Sequence, residues 1–124
     1  MKLKDWLDKK YTVEEQGNLT SLGCSGEGIT SLEGIEGLVK LERLVCSDNK
    51  FISLKGIEQL NKLEYLTCYN NKLNNLKGIE NLDKLNQLNC YGNPLPYSDL
   101  DNFYKIKLEV KKEVRQDKIK NLLL

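Results

Sequence analysis

Residues 41–62 read LERLVCSDNKFISLKGIEQLNK, and residues 63–84 read LEYLTCYNNKLNNLKGIENLDK. Set one above the other, the two segments match at nearly every apolar position: Leu41 over Leu63, Cys46 over Cys68, Asn49 over Asn71, Gly56 over Gly78. The period of 22 runs backwards through Leu19, Leu22, Cys24, Ile29, Leu32, Gly34, Ile35 and Leu38. It runs forwards through Leu85, Leu88, Cys90, Asn93 and Leu95, where Pro94 and Pro96 cut it short. Self-similarity at this period marks a solenoid, whose coils bury their apolar edges against one another.

The shared pattern, LxxLxCxxNxLxxLxGIxxLxx, resembles the leucine-rich repeat, with cysteine in a slot that is usually leucine. The unit's length and second half are similar to the short bacterial, internalin-like class of that family. The resemblance covers roughly two thirds of the chain. It implies an α/β solenoid: about four coils, a parallel β-sheet on the concave face, an N-terminal helical cap and C-terminal helices. It also implies an inward-turned asparagine in each coil, hydrogen-bonded to the bend after the strand. Members of the family mostly bind proteins through variable strand positions.

Within a coil, LxxLxC reads as a strand with Leu44 and Cys46, Leu66 and Cys68, and Leu88 and Cys90 inward. The return leg buries Leu54, Ile57 and Leu60, then Leu76, Ile79 and Leu82. Gly34, Gly56 and Gly78 permit a tight turn before each inward isoleucine. Glu36 and Lys40, Glu58 and Lys62, and Glu80 and Lys84 stand four apart, the spacing of surface ion pairs on a helical turn. Glu27 replaces asparagine in the first coil and, lacking donors when ionised, is expected outward or in the cap.

Residues 1–18 read as an N-terminal cap, residues 19–97 as the repeats and residues 98–124 as a C-terminal helical cap, together one domain. Leu3, Trp6, Leu7 and Lys10 share a helical face, with Trp6 as plug. Ser98 is the expected helix N-cap, with Asp99 and Asp101 in the first turn. Leu100, Phe103, Tyr104, Ile106, Val110 and Val114 then suit one or two helices folded over the last coil. Alternation of Ile106, Leu108 and Val110 leaves a strand as the alternative. The terminal Asn-Leu-Leu-Leu either packs beneath the cap or pairs with another chain. Two caps imply a complete stack.

Nineteen Lys and Arg against eighteen Asp and Glu give no general pull toward nucleic acid or acidic membranes. Histidine is missing, so the commonest general base and metal ligand are missing too. No nucleophile–base pair, phosphate loop or carboxylate cluster appears, so no catalytic residue, metal or cofactor is expected and an enzyme is disfavoured. The four cysteines fall one per coil. With strands ~4.8 Å apart they form a line of roughly 14 Å. Such a line cannot converge on one zinc at about 2.3 Å. They read as reduced core residues in the cytoplasm, and MKLKDWLDKK lacks the apolar run of a signal peptide.

The sheet face is where function is expected. Its outward columns are Ser21, Arg43, Tyr65 and Gln87; then Gly23, Val45, Thr67 and Asn89; then Ser25, Ser47, Tyr69 and Tyr91. Gly26, Asp48, Asn70 and Gly92 flank the last. These positions are expected to be free of core constraint, yet they gather Tyr65, Tyr69 and Tyr91 beside Arg43, the residue types of binding hot spots. Tyrosine also suits strands for structural reasons alone. The leading expectation is a protein partner docked on Arg43, Tyr65, Tyr69 and Tyr91, with Asp48, Asn70, Gln87 and Asn89 at the rim. Single-stranded nucleic acid stacking on the tyrosines is the alternative. Self-assembly through Phe103, Tyr104 or the terminal leucines is the third reading. No membrane partner is expected, and the chain is expected to be a monomer or weak homodimer.

Overall fold

Each coil gives three residues to a strand and the rest to the bend and return that parallel pairing demands. The computed structural model describes residues 1–123. Strands β1 (Ser21–Gly23), β2 (Arg43–Val45), β3 (Tyr65–Thr67) and β4 (Gln87–Asn89) form one parallel sheet in chain order. Its register equals the repeat: Ser21, Arg43, Tyr65 and Gln87 stand side by side, as do Gly23, Val45, Thr67 and Asn89. The fold is the short leucine-rich-repeat solenoid that the period implies.

Leu22, Leu44 and Leu66 point inward and are buried, as are all four cysteines. Leu88 is half-buried, because β4 has no coil beyond it. Burial pushes the thiols up, Cys24 to about 12 and Cys90 to about 11, and Cys46 and Cys68 well above their ordinary value. On the return leg Ile35, Ile57 and Ile79 each begin a three-residue 3-10 turn and are buried. The glycine before each turn has φ of 103–113°. At Gly78 a Cβ would sit 2.7 Å from Ile57 Cγ2.

Those short turns overturn the expected Glu–Lys pairs. A 3-10 turn repeats every three residues, so positions four apart do not align. Glu36, Glu58 and Glu80 instead fold back and accept the N–H of Gly34, Gly56 and Gly78 at 3.1, 2.9 and 2.6 Å.

The asparagines tie the bends together. Asn71 Nδ2 donates to the carbonyls of Cys46 in the preceding coil and Cys68 in its own, and Oδ1 accepts from Phe51 N–H. Asn49 and Asn93 repeat the arrangement. Glu27 lies outward, and Asn49 Oδ1 takes its backbone N–H.

At the N-terminus α1 (Leu3–Lys10) buries Leu3, Trp6 and Leu7 against the first coil, with Lys10 Nζ 4.7 Å from the Trp6 ring centre. A second helix, α2 (Val13–Asn18), follows where one was expected. Thr12 and Glu15 form a reciprocal capping box that starts it.

The C-terminal cap is one helix, α3 (Phe103–Leu123), packed on the 3-10 turn of the third coil. Ile106 and Val110 are buried while Leu108 is 60% exposed, which is helical burial and excludes the strand alternative. Its N-cap is Asn102, whose Oδ1 accepts Lys105 N–H, and not Ser98; no acidic residue lies in the first turn. Leu122 and Leu123 are 85% and 83% exposed, so they do not pack beneath the cap; Leu124 lies outside the described residues. Two polar links fasten α3: buried Tyr97 accepts Leu76 N–H and donates to Glu113, and Lys77 pairs with Asp117.

Candidate functional site

The parallel register sets the sheet-face columns in line. Arg43 on β2 lays its guanidinium over the ring of Tyr65 on β3, 4.1 Å from the centroid, a cation–π contact that fixes both side chains. Arg43 and Gln87 are exposed, and Tyr65 is half-buried. In the next column Asn89 is exposed and Val45 half-buried, but Thr67 is 4% exposed. Ser47, one column further, is fully buried. These two positions correct the expectation that the outward columns are free of packing. Their hydroxyls find no partner among the described residues.

Beyond the strands Tyr69 is half-buried and Tyr91 46% exposed. The Tyr91 hydroxyl donates to the carboxylate of Asp101, which the loop before α3 brings round to this side. Asp48 and Asn70 both have φ of 55°, the left-handed conformation that the chain needs to bend there. Asn70 Nδ2 donates to Asp48 Oδ1 at 3.0 Å, so these two are joined to one another. Gly92 completes the column with φ of 72°; Asn70 Oδ1 occupies the space a Cβ would need.

The expected residues therefore fall into three linked groups on one side of the stack: Arg43 with Tyr65, Asp48 with Asn70, and Tyr91 with Asp101. Tyr69 stands beside the second, its carbonyl accepting Asp48 N–H. Ring-to-ring pairs lie elsewhere, in Trp6–Tyr11 and Phe103–Tyr104. Asp101 is the member that sequence reasoning missed, because its role comes from the path of the loop and not from the period.

A depression of about 710 Å³ lies on the other side, between the return legs of the first two coils. Ile52, Glu33, Glu36, Lys55 and Glu58 line it. Its three glutamates are already engaged, Glu36 and Glu58 by glycine N–H groups and Glu33 by Lys2. The sheet face carries the better-organised chemistry. Among the described residues no His, Cys, Asp and Glu side chains cluster to hold a metal ion.

No protein-family model and no curated protein matches the sequence. Solved structures do. The functional domain of InlJ from Listeria monocytogenes, which includes a cysteine ladder, is 41% identical over 71% of this chain, with a TM-score of 0.64. A leucine-rich repeat protein of Leptospira interrogans is 36% identical over 82%, with a TM-score of 0.65. Internalin InlF of Listeria monocytogenes is 29% identical over 79%, with a TM-score of 0.67. The chain spans only 19%, 27% and 30% of the lengths of those three structures, respectively.

Proposed function

We propose, from the premise that this chain is a leucine-rich repeat protein of the bacterial internalin-like class, that it is a non-catalytic module docking a partner protein on its sheet face. The observation that carries this reading is the Arg43–Tyr65 stack, on the same side of the coils as Tyr69 and the Tyr91–Asp101 pair. Aromatic and arginine side chains held in place lose little entropy on binding, and they are the types that dominate interface energetics. Arg43, Tyr65, Tyr69 and Tyr91 form the centre of the contact. Asp48, Asn70, Gln87 and Asn89 form its polar rim.

The working unit is the whole of residues 1–124, with residues 19–97 as the docking stack and residues 1–18 and 98–124 as its caps. A face four strands wide suits a loop, a helix or a domain edge. Such a unit acts by occupancy, as an adaptor or an inhibitor, in the cytoplasm, where its thiols stay reduced. The thiols supply no nucleophile, being sealed in the core with their ionisation suppressed.

Affinity capture from source-cell lysate tests this, with and without nuclease. The wild-type chain is compared with an Arg43→Glu, Tyr69→Ala, Tyr91→Ala variant shown by circular dichroism to be folded. A protein held by wild type, lost by the variant and indifferent to nuclease is the expected result. Equal capture by both baits would remove the sheet face from consideration.

A further inference from the structure

Helix α3 separates its charges by face. It carries seven Lys and Arg against three Asp and Glu, in a chain whose net charge is only +1. All three acids are half-buried on the solenoid side: Glu113 is bonded to Tyr97, Asp117 is paired with Lys77, and Glu109 lies next to buried Val110. Lys105, Lys111, Lys112, Arg115, Lys118 and Lys120 are exposed. The exposed face also carries apolar groups. Tyr104, Leu108, Ile119 and Leu122 are 78%, 60%, 49% and 85% exposed. With Lys111 and Arg115 they follow the spacing of one helical face, opposite Ile106 and Val110. From Tyr104 to Leu122 this stripe is ~27 Å long.

We infer that the outer face of α3 is a binding surface for a bilayer rich in anionic phospholipid. Charge complementarity decides the occupant, since every ion on that face is a cation. The distribution of the apolar groups agrees. They are not gathered into a knob that fits a protein pocket; they alternate with cations along the whole helix, so a flat surface meets them all at once. Lysine and arginine stems lie along such a boundary while their heads reach the phosphates. No helix among the described residues is long and apolar enough to cross a membrane, so the contact is with the surface alone. No residue of the sheet-face site belongs to α3.

Flotation of the purified chain with vesicles tests this, using phosphatidylcholine alone and phosphatidylcholine with phosphatidylglycerol. Binding is expected only to the anionic vesicles, weakening as salt rises. Lys111→Gln with Arg115→Gln is expected to lower affinity about 25-fold, at about fivefold for each cation. Leu108→Ser with Leu122→Ser, which changes no charge, is expected to lower it at least about tenfold. Both pairs are exposed, and circular dichroism checks that they fold. The Arg43→Glu, Tyr69→Ala, Tyr91→Ala variant is expected to bind vesicles like wild type, so failure here and failure of the docking reading stay distinct. No binding to anionic vesicles at low salt would overturn the inference. So would indifference to the leucine substitutions together with equal binding to duplex DNA, which would mark a general polyanion surface.

Discussion

Asn71 does with one side chain what a coil cannot do with its backbone. The bend after each strand leaves carbonyls pointing into a nearly closed interior, and Asn71 Nδ2 reaches the carbonyls of Cys46 and Cys68 while Oδ1 takes Phe51 N–H. Asn71→Ala strands these buried groups, each at a cost of ~1–3 kcal/mol. A loss of about 3–5 kcal/mol in urea unfolding is expected. Asn71→Asp keeps the acceptor but loses both donors, so it is expected to be no less damaging. The cysteines lead to a pH prediction. Their folded-state pKa values are raised above the ordinary 9.0, so their contribution is complete below pH 9 and is lost as pH rises toward about 11 and 12. Above pH 9 the unfolded chain releases protons that the native core retains, and each thiol costs ~1.4 kcal/mol per pH unit. The urea midpoint is therefore expected to fall steeply over that window, and less steeply in a Cys46→Ala, Cys68→Ala variant. Asparagine and cysteine were legible because the same burial recurs in every coil. The Glu–Lys pairs required an α-helical turn, and the chain makes only a 3-10 turn there.

At the scale of elements, the same substitution is expected to have opposite signs at two glycines. Gly78 precedes a 3-10 turn with φ of 113° and faces Ile57 Cγ2 at 2.7 Å from an added Cβ. Gly78→Ala is expected to cost ~2 kcal/mol or more through backbone strain and overlap together. Gly17 lies within α2 with open space around it, so Gly17→Ala is expected to stabilise by ~0.5–1 kcal/mol. Thermal melts of the two variants check both directions. The fastening of α3 gives another test. Tyr97→Phe keeps the ring and removes the hydroxyl that joins Leu76 N–H to Glu113, with an expected loss of ~1–3 kcal/mol. Hydrogen exchange at the Leu76 amide is expected to quicken more than at the Leu54 amide one coil away. The helices were only partly readable beforehand. Thr12 and Glu15 spell a capping box, but the one amphipathic face, from Leu3 to Lys10, marks only the first helix. Near α3, Ser98, Asp99, Asp101 and Asn102 are all competent caps. Burial of Ile106 and Val110 sets where the helix begins and so selects Asn102.

For the whole molecule the governing fact is that each coil touches only its neighbours, so the ends decide whether the stack is closed. The sheet-face columns were legible because register equals period. Their engagement was not: Asp101 reaches Tyr91 from a loop outside the repeat, and Thr67 and Ser47 are buried although they stand in outward columns. Position in the stack also grades the core. Leu66 has a coil on both sides and is fully buried, whereas Leu88 on the edge strand is half-buried. Leu66→Ala is expected to cost ~3–5 kcal/mol, as a well-packed interior leucine does, and Leu88→Ala about half of that. The C-terminal cap follows the same logic with larger consequences. Ile106 and Val110 are buried at this end of the core, with Leu82 of the third coil and Leu85, Cys90 and Tyr97 beyond it. Removing residues 103–124 would open this slab of core and discard the links from Tyr97 and Lys77. The shortened chain is expected to bind a hydrophobic dye, to scatter light as its concentration rises and to lose its cooperative melt, because an uncovered solenoid end recruits another chain. Lys77→Ala alone is expected to do none of this, since its ion pair with Asp117 is partly open to solvent and its loss removes no apolar cover from the core. A truncated chain that stayed monomeric with an unchanged melt would mean that α3 is an appendage and that the solenoid closes itself at Pro94 and Pro96.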